Sequence, residues 1–150
     1  MGKVIGIATR TMRKAPMDLH DSVKITFDKG VANDSRGLNQ GNRQVTVMSI
    51  EDWQLACDEL NKNYDWTIRR ANFLIEGLNF KNTTGQILKI GSATLEITGE
   101  LTPCHRMDEQ IDGLTKALTP NWRGGVTCKI IAEGNVSKGD KIILTKEIIA

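Results

Sequence analysis

Gly85-Gln-Ile-Leu-Lys-Ile-Gly-Ser-Ala-Thr-Leu-Glu-Ile-Thr-Gly-Glu-Leu-Thr-Pro-Cys-His-Arg106 is the stretch on which the reading of this chain turns. Two short strand-like runs, Gln86–Ile90 and Ala93–Thr98, flank the tight-turn pair Gly91-Ser92 and predict a hairpin. The second run ends in a polar loop that delivers Pro103 and Cys104 directly ahead of a helix-patterned segment. A cysteine at or beside a helix start meets the orphan N–H groups and the positive end of the helix dipole, which favour thiolate over thiol. His105 and Arg106 add to this where they face the sulfur. A thiolate there suits a nucleophile, a persulfide carrier or a soft ligand to a metal such as molybdenum. An inert loop cysteine has the same local sequence, so all these readings stay open at this point.

The C-terminal side of this stretch is helical in pattern. Met107, Ile111, Leu114 and Leu118 recur at spacings of four, three and four, which predicts an amphipathic helix over Arg106–Leu118. Asp108 and Glu109 lie in its first turn, where the dipole favours acids, and are read as helix electrostatics and not as a catalytic carboxylate pair. Thr119-Pro120-Asn-Trp122 ends it, and strands follow at Gly125–Glu133 and Lys141–Thr145, joined by a turn over Gly134–Asp140.

On the N-terminal side, strands are predicted at Lys3–Ala8, Val23–Phe27 and Gln44–Ile50, with a basic loop at Arg10–Pro16 between the first two. Gly30–Asn42 reads as a loop whose Gly and Asn residues adopt positive φ cheaply and bring backbone N–H groups close to a ligand. Ser49 caps a helix over Glu51–Lys62, with Trp53, Ala56, Cys57 and Leu60 on one face. Thr67–Leu78 reads as a short strand in which the pair Arg69-Arg70 precedes apolar Phe73–Ile75; such a charged pair is usually a solvated edge, and strand alternation can also put one arginine on the pocket side. Cys57 and Cys128 share faces with apolar neighbours and read as core residues. At least seven short strands against two helices predict a strand-dominated α+β domain spanning residues 1–150, a closed or partly closed barrel.

Composition excludes several classes. The chain has 150 residues, 39% hydrophobic and 25% charged, the proportions of an ordinary globular protein. Twenty basic against eighteen acidic residues give a net charge of +2, and the longest basic run is Arg69-Arg70, so nucleic acid is not the expected partner. No stretch approaches the roughly 18 apolar residues of a membrane span. Met1–Arg10 is broken by charge too soon for a signal peptide. Three widely spaced cysteines without C-x-x-C argue against a disulfide framework or a zinc site and for a reduced, cytoplasmic setting. Gly134-x-x-x-x-Gly139 is followed by Asp140-Lys141 and lacks the Lys-Ser/Thr of a phosphate loop. His20 and His105 are the only histidines.

Several pieces in order carry a family likeness: Lys14-Ala-Pro-Met17; Gly30-x-x-x-Asp34-x-Arg36-Gly37; Arg43-Gln-Val-Thr-Val47; Arg70-x-Asn72 with Glu76-Gly77; Gly85-x-x-Leu88-x-Ile90-Gly91; Leu95-Glu96-x-Thr98; Pro103-Cys104; and Arg123-Gly124-Gly125 with Gly134 and Gly139-Asp140. Together, from about Lys14 to Asp140, they resemble the MOSC domain, which forms the C-terminal part of molybdenum-cofactor sulfurases and also occurs as small stand-alone bacterial proteins. The resemblance implies a mostly antiparallel β-barrel with a few helices, and it places Cys104 at the family's hallmark cysteine. It further implies molybdenum cofactor (molybdopterin) as ligand. Cys104 would then either carry a persulfide received from a pyridoxal-phosphate cysteine desulfurase or ligate molybdenum, as in reductases of N-hydroxylated compounds.

Under that resemblance Arg36, Arg70 and Arg123 become candidates for the cofactor's phosphate, through bidentate guanidinium bonds, and Asn72 for the pterin edge. Asp34 joins the candidate set, as a residue that orients an arginine or caps a loop. The chain departs from larger members in having no desulfurase domain, hence no pyridoxal-phosphate lysine of its own. It also lacks their extra N-terminal barrel and ferredoxin domain. Expected partners are therefore a separate desulfurase, a molybdoenzyme or a redox protein. Asn33 stands where a glycine is common, a swap that positive φ tolerates. His105 has no role assigned by the family. A non-catalytic barrel whose pocket takes some other anion is the remaining alternative.

Overall fold

The structure, a computed structural model, describes residues 2–12, 16–32, 34, 42–104 and 106–146. Its strands are β1 (Gly2–Thr9), β2 (Asp18–Leu19), β3 (Ser22–Thr26), β4 (Gly30–Val31), β5 (Val45–Ser49), β6 (Phe73–Glu76), β7 (Ile87–Ile90), β8 (Ala93–Glu100), β9 (Val126–Ala132), β10 (Gly134–Ser137) and β11 (Lys141–Thr145). The helices are α1 (Ile50–Glu59), α2 (Arg106–Gln110) and α3 (Leu114–Leu118), with 3-10 turns at Trp66–Arg69 and Pro120–Trp122. Among the described residues no helix is long and apolar enough to cross a membrane.

Seven strands run β11-β7-β8-β9-β5-β6-β1 in hydrogen-bonded order, and β1 returns to β11 through Gly2↔Ile142 and Lys3↔Lys141, so the sheet closes into a barrel. The opening stretch forms the β7–β8 hairpin, with Ile90 opposite Ala93 across Gly91-Ser92. Alternation along β8 sends Ala93, Leu95 and Ile97 inward, where all three are buried. They meet Val4, Ile7, Val47, Phe73, Ile75, Leu88, Val126 and Cys128 in the barrel interior. Each fully buried aliphatic or aromatic side chain there contributes about 1.5–3 kcal/mol.

A second apolar cluster lies outside the barrel wall. Met48 of β5 and Leu74 of β6 point away from the interior and pack with Trp53, Ala56 and Cys57 of α1, with Met107 and Ile111, and with Leu114 and Leu118 of α3. This explains why all five residues of β5 are buried and why the strand shows no alternation: one face fills the barrel and the other is covered by helices. Ser49 caps α1 as expected, its hydroxyl accepting from the Asp52 N–H at 3.2 Å.

The barrel is mostly antiparallel, as expected, with one parallel pair: β5 and β6 meet through Val47↔Phe73 and Ser49↔Ile75, and α1 serves as the crossover that parallel strands require. Three expectations need correction. The expected strand Thr67–Leu78 begins only at Phe73. Residues 66–69 form a 3-10 turn that Asp65 caps and that Arg70 ends with a left-handed φ of 62°. The expected helix Arg106–Leu118 is two short helices, broken where Gly113 takes φ 85°. Its four periodic residues are nonetheless all buried, so the apolar face holds while the helix axis does not. Finally, Gly30–Val31 and Gly134–Ser137, expected as loop and turn, each pair with β3 in a small three-stranded sheet.

The Cys104 loop as candidate functional site

Strand β8 leaves its ladder with β9 after Glu100↔Val126, and Leu101–Cys104 bridges to α2. The segment stays extended enough for its side chains to alternate: Leu101 and Pro103 are buried, Thr102 and Cys104 exposed. Leu101 donates its N–H to the Gly125 carbonyl at 2.8 Å. The Cys104 carbonyl accepts from the Met107 N–H at 2.9 Å and from the Thr115 hydroxyl at 2.7 Å. The loop thus presents the Cys104 thiol to solvent from a backbone held at both ends.

Beneath it lies Arg69, 6% exposed. Its Nη2 donates to the Leu101 carbonyl at 2.6 Å, its Nε to the Gly124 carbonyl at 3.2 Å, and its Nη1 lies 3.9 Å from the Met107 sulfur. Gly124 has no side chain because a Cβ there would stand 2.6 Å from the Leu101 oxygen and 3.0 Å from Arg69 Nη2. Sequence reasoning allowed one arginine of the Arg69-Arg70 pair to face inward by strand alternation. One does, but through the 3-10 turn, and it is Arg69, which no motif singled out. The sequence carries no signal for which of the two it is, since Arg69 and Arg70 stand side by side in the same polar run.

Asp34 and Asn72 come together. Asn72 is 1% exposed. Its Oδ1 accepts from the Thr46 N–H at 3.1 Å and the Thr46 hydroxyl at 3.2 Å, and its Nδ2 donates to the Ala8 carbonyl and to Asp34 Oδ2, both at 3.2 Å. Asp34 Oδ2 also accepts from the Arg10 N–H at 2.8 Å. This knot ties the exit of β1 to β5, to the entry of β6 and to the start of the glycine-rich loop. Arg70, two residues before Asn72 in the chain, is half-buried. Arg123 is turned elsewhere, its Nη1 donating to Glu59 Oε1 at 2.8 Å and to the Ala117 carbonyl at 3.0 Å. Arg36, His105 and Asn33 lie outside the described residues.

Of the three cysteines only Cys104 is exposed, and burial alone pushes the Cys128 thiol far above its usual range. Native protein should therefore take up one equivalent of a thiol reagent, at Cys104, and two more only on denaturation; titration with and without guanidinium checks this, and Cys104→Ser should abolish the native reaction. Among the described residues no three His, Cys, Asp or Glu side chains converge on a common point. Two open clefts, of about 460 and 420 Å³, lie where β1 meets β6 and β11, lined by Lys3, Glu76 and Gly139 among others. None of the described candidate residues borders them, and their opposed lysines and carboxylates make them poorer candidates than the loop that exposes Cys104.

The architecture is similar to that of the YuaD protein from Bacillus subtilis, with a TM-score of 0.80 and 18% identity over 98% of each chain. It is also similar to YiiM from Geobacillus stearothermophilus (TM-score 0.74, 15% identity, 97% of this chain and 75% of that one) and to YiiM from Escherichia coli (0.73, 16%, 97% and 71%). At such identities the likeness is one of fold. No curated protein matches the chain. The family model of the MOSC domain matches residues 23–143, from β3 to β11 and across the Cys104 loop, and the chain belongs to that family.

Proposed function

We propose that this chain binds molybdenum cofactor and uses Cys104 as a sulfur carrier or as a ligand to molybdenum. The observation that carries the reading is the exposure of Cys104, alone among three cysteines, on a loop pinned from both sides. The donor set fits the group. A single soft sulfur, with no cage of further His, Cys or carboxylate ligands among the described residues, suits a metal that arrives with its own organic ligand. Bound cofactor would supply the metal's redox and sulfur chemistry, and Cys104 would hold it. Arg70, half-buried and two residues before Asn72, is the described arginine we assign to the cofactor's phosphate. Arg36 is the second candidate. Asn72 and Asp34 serve by fixing the loop entry, and Arg123 by locking α3 to α1.

As a carrier, Cys104 works by simple exchange. Its thiolate attacks the outer sulfur of a donor's cysteine persulfide, the new S–S bond forms on Cys104, and the donor's S–S bond breaks to release the donor thiolate. No net oxidation occurs. The donor would be a separate pyridoxal-phosphate cysteine desulfurase, and three free thiols fit the reducing, cytoplasmic setting in which such exchange runs. If the chain instead reduces N-hydroxylated compounds, a separate redox protein must bring electrons.

Metal and sulfur analysis of protein purified from a molybdenum-replete host tests the proposal. Molybdenum at about one per chain, lost in Cys104→Ser, is the result expected of ligation. A mass gain of one sulfur atom on Cys104, removed by reductant and without metal, indicates carriage alone. Neither metal nor sulfur would overturn both and leave a barrel that binds some other anion.

A further inference from the structure

The segment Leu101–Cys104 is fastened by two side chains that the family motifs do not include. From inside, Arg69 grips the Leu101 carbonyl at 2.6 Å and reaches the neighbouring Gly124 carbonyl at 3.2 Å. From outside, the Thr115 hydroxyl grips the Cys104 carbonyl at 2.7 Å, and Thr115 is itself oriented by Asp108 Oδ1, which accepts its N–H at 3.0 Å. The β8–β9 ladder has already ended at Glu100↔Val126, so barrel closure does not require these bonds. Left-handed φ values occur at Arg70 (62°), next to Arg69, and at Trp122 (61°), two residues before Gly124. Such conformations persist only where the surroundings over-determine them.

We infer that Arg69 and Thr115 are positioning residues for Cys104, a clamp that holds its peptide in one orientation before any cofactor or sulfur donor arrives. The inference rests on the reading that Cys104 does the chemistry. A sulfur that must meet a metal or a partner's persulfide at one point gains from a backbone ordered in advance, and that order comes from side chains behind the reacting one.

A nitroxide label on Cys104, the one exposed thiol, reads the clamp directly through its room-temperature EPR line shape. Thr115→Val keeps the side chain's volume and removes the hydroxyl. It should raise the ratio of mobile to immobile label roughly fivefold, the factor that a hydrogen bond of ordinary net strength represents. Thr115→Ser should restore the wild-type spectrum, and Arg69→Lys, with its charge kept but the forked donor lost, should lie between. Circular dichroism and continued protection of Cys57 and Cys128 show that each variant is folded. If Arg69→Lys does not fold, the two Thr115 variants decide. A folded Thr115→Val whose spectrum superimposes on wild type would overturn the clamp, as would a Thr115→Ser as mobile as the valine variant. The readout needs no cofactor. An intact clamp in a protein that loads neither molybdenum nor sulfur would therefore count against the proposed function alone.

Discussion

Gly125→Ala should cost this protein about 2–5 kcal/mol, as much as a third or more of what a domain of this kind has in hand. Gly125 has φ 98°, outside the range that a side chain tolerates, and it sits where the chain enters β9 against β5. An added Cβ would run into the Val47 carbonyl oxygen and stand 3.2 Å from the Met48 Cα. Both obstacles are backbone inside the barrel wall, so nothing can swing aside. Gly125 also donates its N–H to Trp122 and accepts from Leu101, so a shift there drags the Cys104 loop with it. Urea denaturation followed by fluorescence checks the value. Gly85→Ala is the control. Gly85 has φ 89° but open space around its missing Cβ, so it should lose only the conformational part, about 1–2 kcal/mol. Equal losses at the two positions would show that the clash at Val47 is relieved more easily than the packing implies.

What could be read from sequence depended on whether the deciding contact was local. The β7–β8 hairpin was legible because Ala93, Leu95 and Ile97 alternate with polar residues across a two-residue turn, and both partners lie within a dozen positions. The outer apolar face of 107–118 was legible for the same reason, although Gly113 looks harmless in the pattern and breaks the helix in fact. Strand β5 hid its pairing because burial on both faces erases the period, and its parallel partner β6 arrives only after α1. Motif likeness brought out Cys104, Asp34, Arg70 and Asn72, but could not say which of them touch each other. That Arg69 is the inward arginine of its pair, and what it binds, was illegible. Its partners are carbonyls at Leu101 and Gly124, 32 and 55 residues away, and backbone acceptors leave no trace in a sequence.

Asn72→Ala should be the other severe lesion, at roughly 3–5 kcal/mol. The amide joins three strands' worth of backbone: it accepts from the Thr46 N–H and hydroxyl, and it donates to the Ala8 carbonyl and to Asp34. Truncation withdraws it from all of these at once at a site shut off from water, where each polar group stripped of a partner costs about 1–3 kcal/mol. Asn72→Asp sharpens the test, because it keeps the acceptor toward Thr46 and sets a second carboxyl where Nδ2 now stands, 3.2 Å from Asp34 Oδ2. Two such carboxyls cannot both ionise, so one must bind a proton in the folded state more tightly than in the unfolded chain. Its folded value lies above the unfolded one, about 3.9, so the stability it contributes is whole below that pH and is lost as the pH climbs. Asn72→Asp should therefore approach wild type in acid and fall toward Asn72→Ala near neutrality, as denaturant midpoints across pH would record. A residue whose work was to touch the pterin would behave otherwise: its alanine variant would fold as well as wild type and lose only cofactor. The bonds around Asn72 all run to the protein's own strands and loop, and that is why stability, ahead of cofactor content, should register its loss.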